Sequence, residues 1–206
     1  MITIVDYKAG NLTSVKRALD YLGLAGEITA DPQVVATAER IIFPGVGHAG
    51  TAMRVLQERG LDQALRLAYE QGTPILGTCV GAQIVVGHSE EGDTACLGLI
   101  PGDCVRFRPA DPALKIPHMG WNNVRRVQDH PVLRGIPDGA EFYFVHSYHL
   151  QPADPAAIYA TCEYGVTFPA IVGQRNLIAT QFHSEKSGPV GLAILKNFAA
   201  WSGSPC

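Results

Sequence analysis

The sequence predicts a single α/β domain: a central, mostly parallel sheet flanked by helices, with an antiparallel extension in the second half. Three observations predict it. Short apolar runs alternate with stretches of helical periodicity over residues 2–79. Those runs carry few polar residues, as strands buried on both faces of a parallel sheet do. Beyond them the runs follow one another, and one pair is separated by a turn short enough for a hairpin.

Taken in order, I-T-I-V-D-Y (2–7) reads as a strand buried on both faces. After Gly10, Leu12, Val15, Leu19 and Leu22 recur at helical spacing until Gly23. G-E-I-T-A (26–30) and R-I-I-F-P (40–44) are short strands, and a helical segment follows G-V-G-H-A-G (45–50). Leu61, Ala64, Leu65 and Ala68 form another helical stripe before the strand T-P-I-L-G-T-C (73–79). This β-α-β order calls for a parallel sheet covered on both faces. V-R-F (105–107), N-V-R-R-V (123–127), E-F-Y-F-V-H-S-Y-H-L (141–150) and I-Y-A-T-C-E-Y (158–164) are the next strands. A-I-V-G (170–173) and L-I-A-T-Q-F (177–182) follow, joined by a hairpin turn at Q-R-N, and Val190, Ile194 and Phe198 mark a closing helix. No internal repeat or linker divides residues 1–206, so one domain is expected.

Composition narrows the function classes. A net charge of −3 with no long basic run argues against nucleic acid or an anionic membrane surface as partner. Residues 71–89 carry no charge, but Gly72, Pro74, Gly77, Gly81, Gln83, Gly87 and His88 interrupt them, so no membrane span is expected. M-I-T-I-V-D-Y lacks a basic n-region and its apolar run is too short for a leader. The five cysteines, Cys79, Cys96, Cys104, Cys162 and Cys206, form no C-x-x-C pair. That spacing suits neither zinc nor a disulfide framework and places the chain in a reducing, cytoplasmic compartment, with no metal.

Cys79 stands apart from the other four. Strand, G-T-C-V-G (77–81), then an apolar helical segment is the arrangement of a nucleophile elbow. A sharp strand-to-helix turn strains the central residue, and glycine two positions away on each side removes the collisions that side chains would cause. The following helix aims its unpaired N–H groups and positive dipole end at the sulfur, which favours the reactive thiolate. The Val80 N–H is placed to stabilise an oxyanion. A buried core cysteine between packing glycines fits the same residues, so the choice turns on a base.

A candidate base lies in T-Q-F-H-S-E-K-S (180–187). His183 and Glu185 are two apart, and in an extended segment their side chains project to one side. An imidazole holds or takes the thiol proton, and a carboxylate fixes its tautomer. The other histidines compete less well. His146 and His149 fall on opposite faces of a strand, which does not suit a shared metal. His88, His118 and His130 sit in polar or proline-flanked segments and read as surface or loop residues. The order Cys, His, Glu differs from the nucleophile, acid, base order of α/β-hydrolases.

G-V-G-H-A-G (45–50) matches the dinucleotide pattern G-x-G-x-x-G. It follows the third strand rather than the first, and the acidic residue at the expected distance, Glu70, falls within a helical stripe. A nicotinamide or flavin cofactor is therefore not indicated. P-G-V-G (44–47) is better placed to supply the second oxyanion donor beside Val80, from Val46 and Gly47. Glycines on both sides of Val46 permit its peptide to rotate.

Together these pieces resemble the class I (triad) glutamine amidotransferases, through G-T-C-V-G-A-Q (77–83) and F-H-S-E (182–185). Within that family the chain is similar in particular to glutaminase subunits of imidazole glycerol phosphate synthases. V-D-Y-K-A-G-N-L (5–12), P-G-V-G-H (44–48), P-H-M-G-W-N (117–122), F-V-H-S-Y (144–148) and H-S-E-K-S (183–187) carry that similarity along nearly the whole chain. The resemblance implies a flavodoxin-like architecture, L-glutamine as substrate, and no cofactor. It implies that Cys79 forms a glutamyl thioester, that His183 transfers protons, and that Glu185 orients His183. Val46, Gly47 and Val80 would form the oxyanion hole, and Gln83, Ser147 and Tyr148 would contact glutamine, the last two mainly through backbone. The implied partner is a (β/α)8-barrel cyclase that takes up the ammonia, making imidazole glycerol phosphate and AICAR in histidine biosynthesis. Asn11, Trp121, Tyr143 and Lys186 would face it. Rival readings are a glutaminase subunit of the anthranilate, guanylate or pyridoxal phosphate pathways, and a partner-independent γ-glutamyl cysteine hydrolase. P-G-V-G-H and P-H-M-G-W-N argue against them. Ser184 stands where the family usually has proline, which implies a more flexible loop. Val80 and Ala82 replace bulkier residues, and Ala49 stands where an aromatic is common.

Overall fold

The structure, a computed structural model, describes residues 1–8 and 10–204, so Cys206 lies outside the described residues. The first half runs β1 (Ile2–Val5), α1 (Leu12–Tyr21), β2 (Gly26–Thr29), α2 (Pro32–Ala36), β3 (Ile41–Gly45), α3 (Ala49–Glu58), α4 (Leu61–Glu70), β4 (Ile75–Cys79) and α5 (Val80–Gln83). The second half runs β5 (His88–Ser89), β6 (Thr94–Ala95), β7 (Gly102–Arg106), β8 (His118–Arg126), β9 (Ala140–His146), β10 (Tyr148–Pro152), β11 (Ile158–Glu163), β12 (Thr167–Gln174), β13 (Leu177–Thr180) and α6 (Gly188–Ala200).

A nine-stranded sheet has the order β2-β1-β3-β4-β13-β12-β11-β8-β9. Its pairs from β2 through β13 are parallel, and from β13 to β9 they are antiparallel. The expected parallel sheet with an antiparallel extension is therefore one continuous sheet. Alternation along the parallel strands divides the core. Ile41, Phe43, Ile75 and Leu177 pack on one face with Leu56 and Leu65 of α3 and α4. Ile42, Leu76 and Ile178 pack on the other with Leu19 of α1 and Ile194 and Phe198 of α6.

The structure corrects the sequence reading of one strand and of four histidines. E-F-Y-F-V-H-S-Y-H-L is two strands, not one: the chain breaks at Ser147, and β10 joins a separate four-stranded sheet, β10-β7-β5-β6. Because of that break, His146 and His149 do not lie on opposite faces of one strand. Both rings meet Phe107, at 5.0 and 4.7 Å between centroids. His118 and His130 are buried, at 3% and 5% exposure, rather than surface residues. His118 opens β8 opposite His146. The His130 ring accepts from the Val132 N–H of a 3-10 turn and packs on Trp201. No helix among the described residues is long and apolar enough to cross a membrane.

Candidate active site

Four neighbouring parallel strands, β1, β3, β4 and β13, bring the candidate residues to one edge of the sheet. Asn11 follows β1, Val46 and Gly47 follow β3, Cys79 ends β4, and His183 and Glu185 follow β13. Carboxyl ends of parallel strands are where open α/β sheets gather their sites.

Cys79 has φ 53° and ψ −112°, a conformation L residues rarely adopt. Gly81 permits it, since a Cβ there would lie 1.9 Å from the Phe43 carbonyl oxygen. Gly77 is less constrained, its nearest clash being 3.2 Å from the Gly81 oxygen. Gly45 is closed in as well, with the Tyr7 hydroxyl 2.0 Å from a would-be Cβ. The expected apolar helix after Cys79 is the four-residue turn α5, so little macrodipole acts on the sulfur. Local backbone dipoles remain.

His183 and Glu185 meet, though not along an extended strand. β13 ends at Thr180, His183 is extended, and residues 184–186 form a 3-10 turn that returns the carboxylate to the ring. His183 Nδ1 lies 2.7 Å from Glu185 Oε1. Asn11 Nδ2 donates to the same Oε1. The backbone fixes the loop: the His183 N–H donates to the Tyr143 carbonyl, and Ser187 Oγ donates to the His183 carbonyl while accepting the Tyr143 N–H. Ser184, fully buried, therefore sits in a pinned turn rather than a loose one.

With Nδ1 taken by Glu185, the other ring nitrogen, Nε2, is buried without a hydrogen-bond partner among the described residues, while Cys79 Sγ lies 3.9 Å from the Val145 carbonyl oxygen. Burial lowers the His183 pKa, but the neighbouring Cys79 and Glu185 outweigh it and lift it to about 10. Its neighbours therefore favour the protonated imidazole. Burial pushes the Cys96 thiol up to about 11 and the Cys162 thiol up to about 12, and raises that of Cys104 further. These are inert core thiols.

A pocket of about 270 Å³ opens over Cys79, lined also by Val46, Gly47, Val80, Gln83, Ser147, Tyr148 and His183. Every residue expected in the oxyanion hole or at glutamine thus borders one cavity. Gln83 Nε2 donates to the Tyr148 carbonyl at 2.9 Å, and the Phe107 N–H donates to the Ser147 carbonyl at 3.0 Å. Trp121, Tyr143 and Lys186 lie outside this pocket. Trp121 is 54% exposed and meets Tyr143 edge-on, with centroids 6.0 Å apart. Asn11 does more than expected of it, through its bond to Glu185.

Among the pocket residues that sequence reasoning missed, two are ionisable. Glu91 lines the cavity and accepts the Ala49 N–H at 2.7 Å. It belongs to the small second sheet's turn, and S-E-E-G-D (89–93) carries no signal that distinguishes it from a solvated acidic turn. His146 also lines the pocket, through the strand break that the sequence did not announce.

A sequence profile described as glutamine amidotransferase class-I matches residues 3–201. The chain belongs to the class-I glutamine amidotransferase family. It is 53% identical over 203 residues to the imidazole glycerol phosphate synthase subunit HisH of Nitratidesulfovibrio vulgaris strain Hildenborough, covering 96% of this chain and 95% of that one. It is 48% identical over 210 residues to the subunit of the same name from Chromobacterium violaceum, covering 98% and 99%. Among solved structures, a glutamine amidotransferase crystal structure superposes with a TM-score of 0.77 at 18% identity over 98% of this chain and all (100%) of that one. The PurLQS structure from Thermotoga maritima gives 0.74 at 18% identity, covering 96% of each. These last two likenesses concern the fold, an α/β amidotransferase architecture.

Proposed function

We propose that this chain is the glutaminase subunit of an imidazole glycerol phosphate synthase, hydrolysing L-glutamine to L-glutamate and ammonia. The observation that carries the chemistry is the His183 ring, 2.7 Å from Glu185, lining the same pocket as Cys79. The names of relatives about half identical over nearly the whole chain support the pathway.

In this reading the Cys79 thiolate attacks the carboxamide carbon of glutamine. The oxyanion is met by N–H groups of Val80 and of the Val46–Gly47 loop. His183 gives its proton to the departing nitrogen, the C–N bond breaks, and ammonia leaves a glutamyl thioester. Water then attacks the thioester, His183 takes its proton, and the Cys79 thiolate is expelled as glutamate forms. Glu185 keeps the ring aimed throughout. Gln83, Ser147 and Tyr148 hold the amino-acid end, and the Glu91 carboxylate in the same pocket suits the α-ammonium.

Ammonia passes to a (β/α)8-barrel cyclase bound at a face that includes Asn11, Trp121, Tyr143 and Lys186, forming a heterodimer. No cofactor is needed, and the buried free thiols suit a reducing cytoplasm. The test is glutamine hydrolysis with and without the cyclase and its nucleotide, on wild type and Cys79→Ala. Ammonia release that rises with the loaded cyclase and vanishes in Cys79→Ala is expected. Full activity of Cys79→Ala, or no ammonia under any condition, would overturn the mechanism, and equal activity without a cyclase would overturn the subunit assignment.

A further inference from the structure

A chain of hydrogen bonds runs from strand β8, through the buried rings of His118 and His146, to the pocket. The Asn122 amide is oriented by its neighbours: Oδ1 accepts the Asn123 N–H at 2.8 Å, and Nδ2 donates to the Glu163 carbonyl at 2.9 Å. The same Nδ2 lies 3.3 Å from His118 Nε2. Next, His118 Nδ1 lies 3.0 Å from His146 Nε2, and His146 Nδ1 lies 2.7 Å from the Tyr148 carbonyl. That carbonyl also accepts from Gln83 Nε2.

The donors fix every proton. An amide N–H facing His118 Nε2 makes that nitrogen an acceptor, so the His118 proton sits on Nδ1. His146 Nε2 must then accept, and its proton sits on Nδ1, facing Tyr148. Each ring is thus one donor and one acceptor, which requires both to be neutral. Burial provides this, pulling His118 down to about 4 and His146 to about 3.

We infer that His118 is a positioning residue for the glutamine pocket: it holds His146 in the Nδ1–H tautomer that, together with Gln83, fixes the Tyr148 carbonyl. Neither the elbow nor the triad contains this pair. His118 is not among the residues lining the pocket, and its ring is stacked between Phe144 and Tyr164, with centroids 5.0 and 4.1 Å away. Without its donor, His146 Nε2 is left unpaired in the core, and a ring that escapes this cost by changing tautomer or turning loses its bond to Tyr148. The consequence falls on binding of the substrate's amino-acid end rather than on Cys79.

This inference rests on the glutaminase reading, and the experiment separates the two. His118→Phe keeps the stacked ring and removes both nitrogens, while His118→Asn restores a donor near the Nδ1 position. With the cyclase and its nucleotide present, His118→Phe is expected to raise KM for glutamine by about three- to tenfold, the worth of one neutral hydrogen bond. Its kcat is expected to stay within about twofold, with KM partly recovered in His118→Asn. Cys79→Ala, assayed in parallel, reports on the glutaminase reading alone. A folded His118→Phe with unchanged KM, or with kcat and KM both lost and no recovery in His118→Asn, overturns the inference. Nitrogen-15 NMR of the histidine rings in the unaltered protein decides even if His118→Phe does not fold. Both His118 and His146 are expected as Nδ1–H tautomers, and an Nε2–H form of either overturns the inference.

Discussion

The strain at Cys79 is held by its neighbours, and the two flanking glycines do not share the work equally. At Gly81 a methyl group would run into the Phe43 carbonyl at 1.9 Å, and that carbonyl belongs to the central strand β3, which cannot retreat. At Gly77 the nearest atoms are 3.2–3.3 Å away and can yield slightly. Gly81→Ala is therefore expected to cost about 3 kcal/mol or more in denaturant unfolding, and Gly77→Ala clearly less. Equal losses would mean that the elbow is not what constrains the pair. The charge on His183 gives a second expectation. Its folded pKa, about 10, lies above the ordinary 6.5, so the proton is bound more tightly in the folded state. The resulting stability is fully present below pH 6.5 and is lost as pH rises towards about 10. Denaturant midpoints across that window are expected to decline in the wild type and to decline less in Cys79→Ala, which removes a raising partner of the imidazole. The same slope in both would show that the sulfur does not hold the ring's charge. At this scale the triad was legible because its chemistry demands particular residue types. Glu91 and His118 were not, because an acidic turn and a histidine beside proline look alike whether they face solvent or a pocket.

At the scale of elements, periodicity located the parallel half well, since strands buried on both faces and helices buried on one leave different patterns. The second half was legible as strands but not as two sheets. A bend at one residue, Ser147, sends β10 to another sheet without altering the run of hydrophobic and β-prone residues. Pairing with β7, from Tyr148↔Arg106 to Pro152↔Gly102, is a long-range event that local sequence does not encode. The turn after β13 shows the reverse, a local departure with a local answer. Ser184 begins the 3-10 turn, its hydroxyl is buried without a partner among the described residues, and His183 before it has φ −90° and ψ 99°. That extended geometry suits a residue preceding proline, and the first position of a helical turn suits proline itself. Ser184→Pro is expected to raise stability by about 0.4–1 kcal/mol through a stiffer unfolded chain, with the buried hydroxyl also removed. Thermal or denaturant unfolding checks it, and a loss of stability would mean that the Ser184 N–H or hydroxyl has a role in the turn.

At the scale of the whole molecule, the antiparallel extension joins the site to an exposed aromatic surface. On β8, Met119 and Trp121 point to the same side, at 63% and 54% exposure, while His118 and Val124 are buried. Trp121 pairs in register with Tyr143 of β9, and the Tyr143 carbonyl holds the His183 N–H. A protein seated on this aromatic pair would therefore press on the backbone that fixes the triad loop, and through β8 on the His118 relay as well. Large exposed aromatics beside a site are the residues that dominate interface energies when a partner covers them. Trp121→Ala is accordingly expected to weaken capture of the proposed (β/α)8 cyclase by at least about tenfold, in the range of an interface hot spot. Leu67→Ala, at a 43% exposed position on α4, is the matched control and is expected to leave the affinity unchanged. Titration of each variant with the cyclase, followed by calorimetry, compares them directly. Because Trp121 lies outside the pocket, the weakened variant should regain glutamine turnover once the cyclase is raised to saturation. A Trp121→Ala protein that binds normally but turns over poorly at saturation would move this surface from docking to transmission, and one that behaves as wild type in both would remove it from the interface.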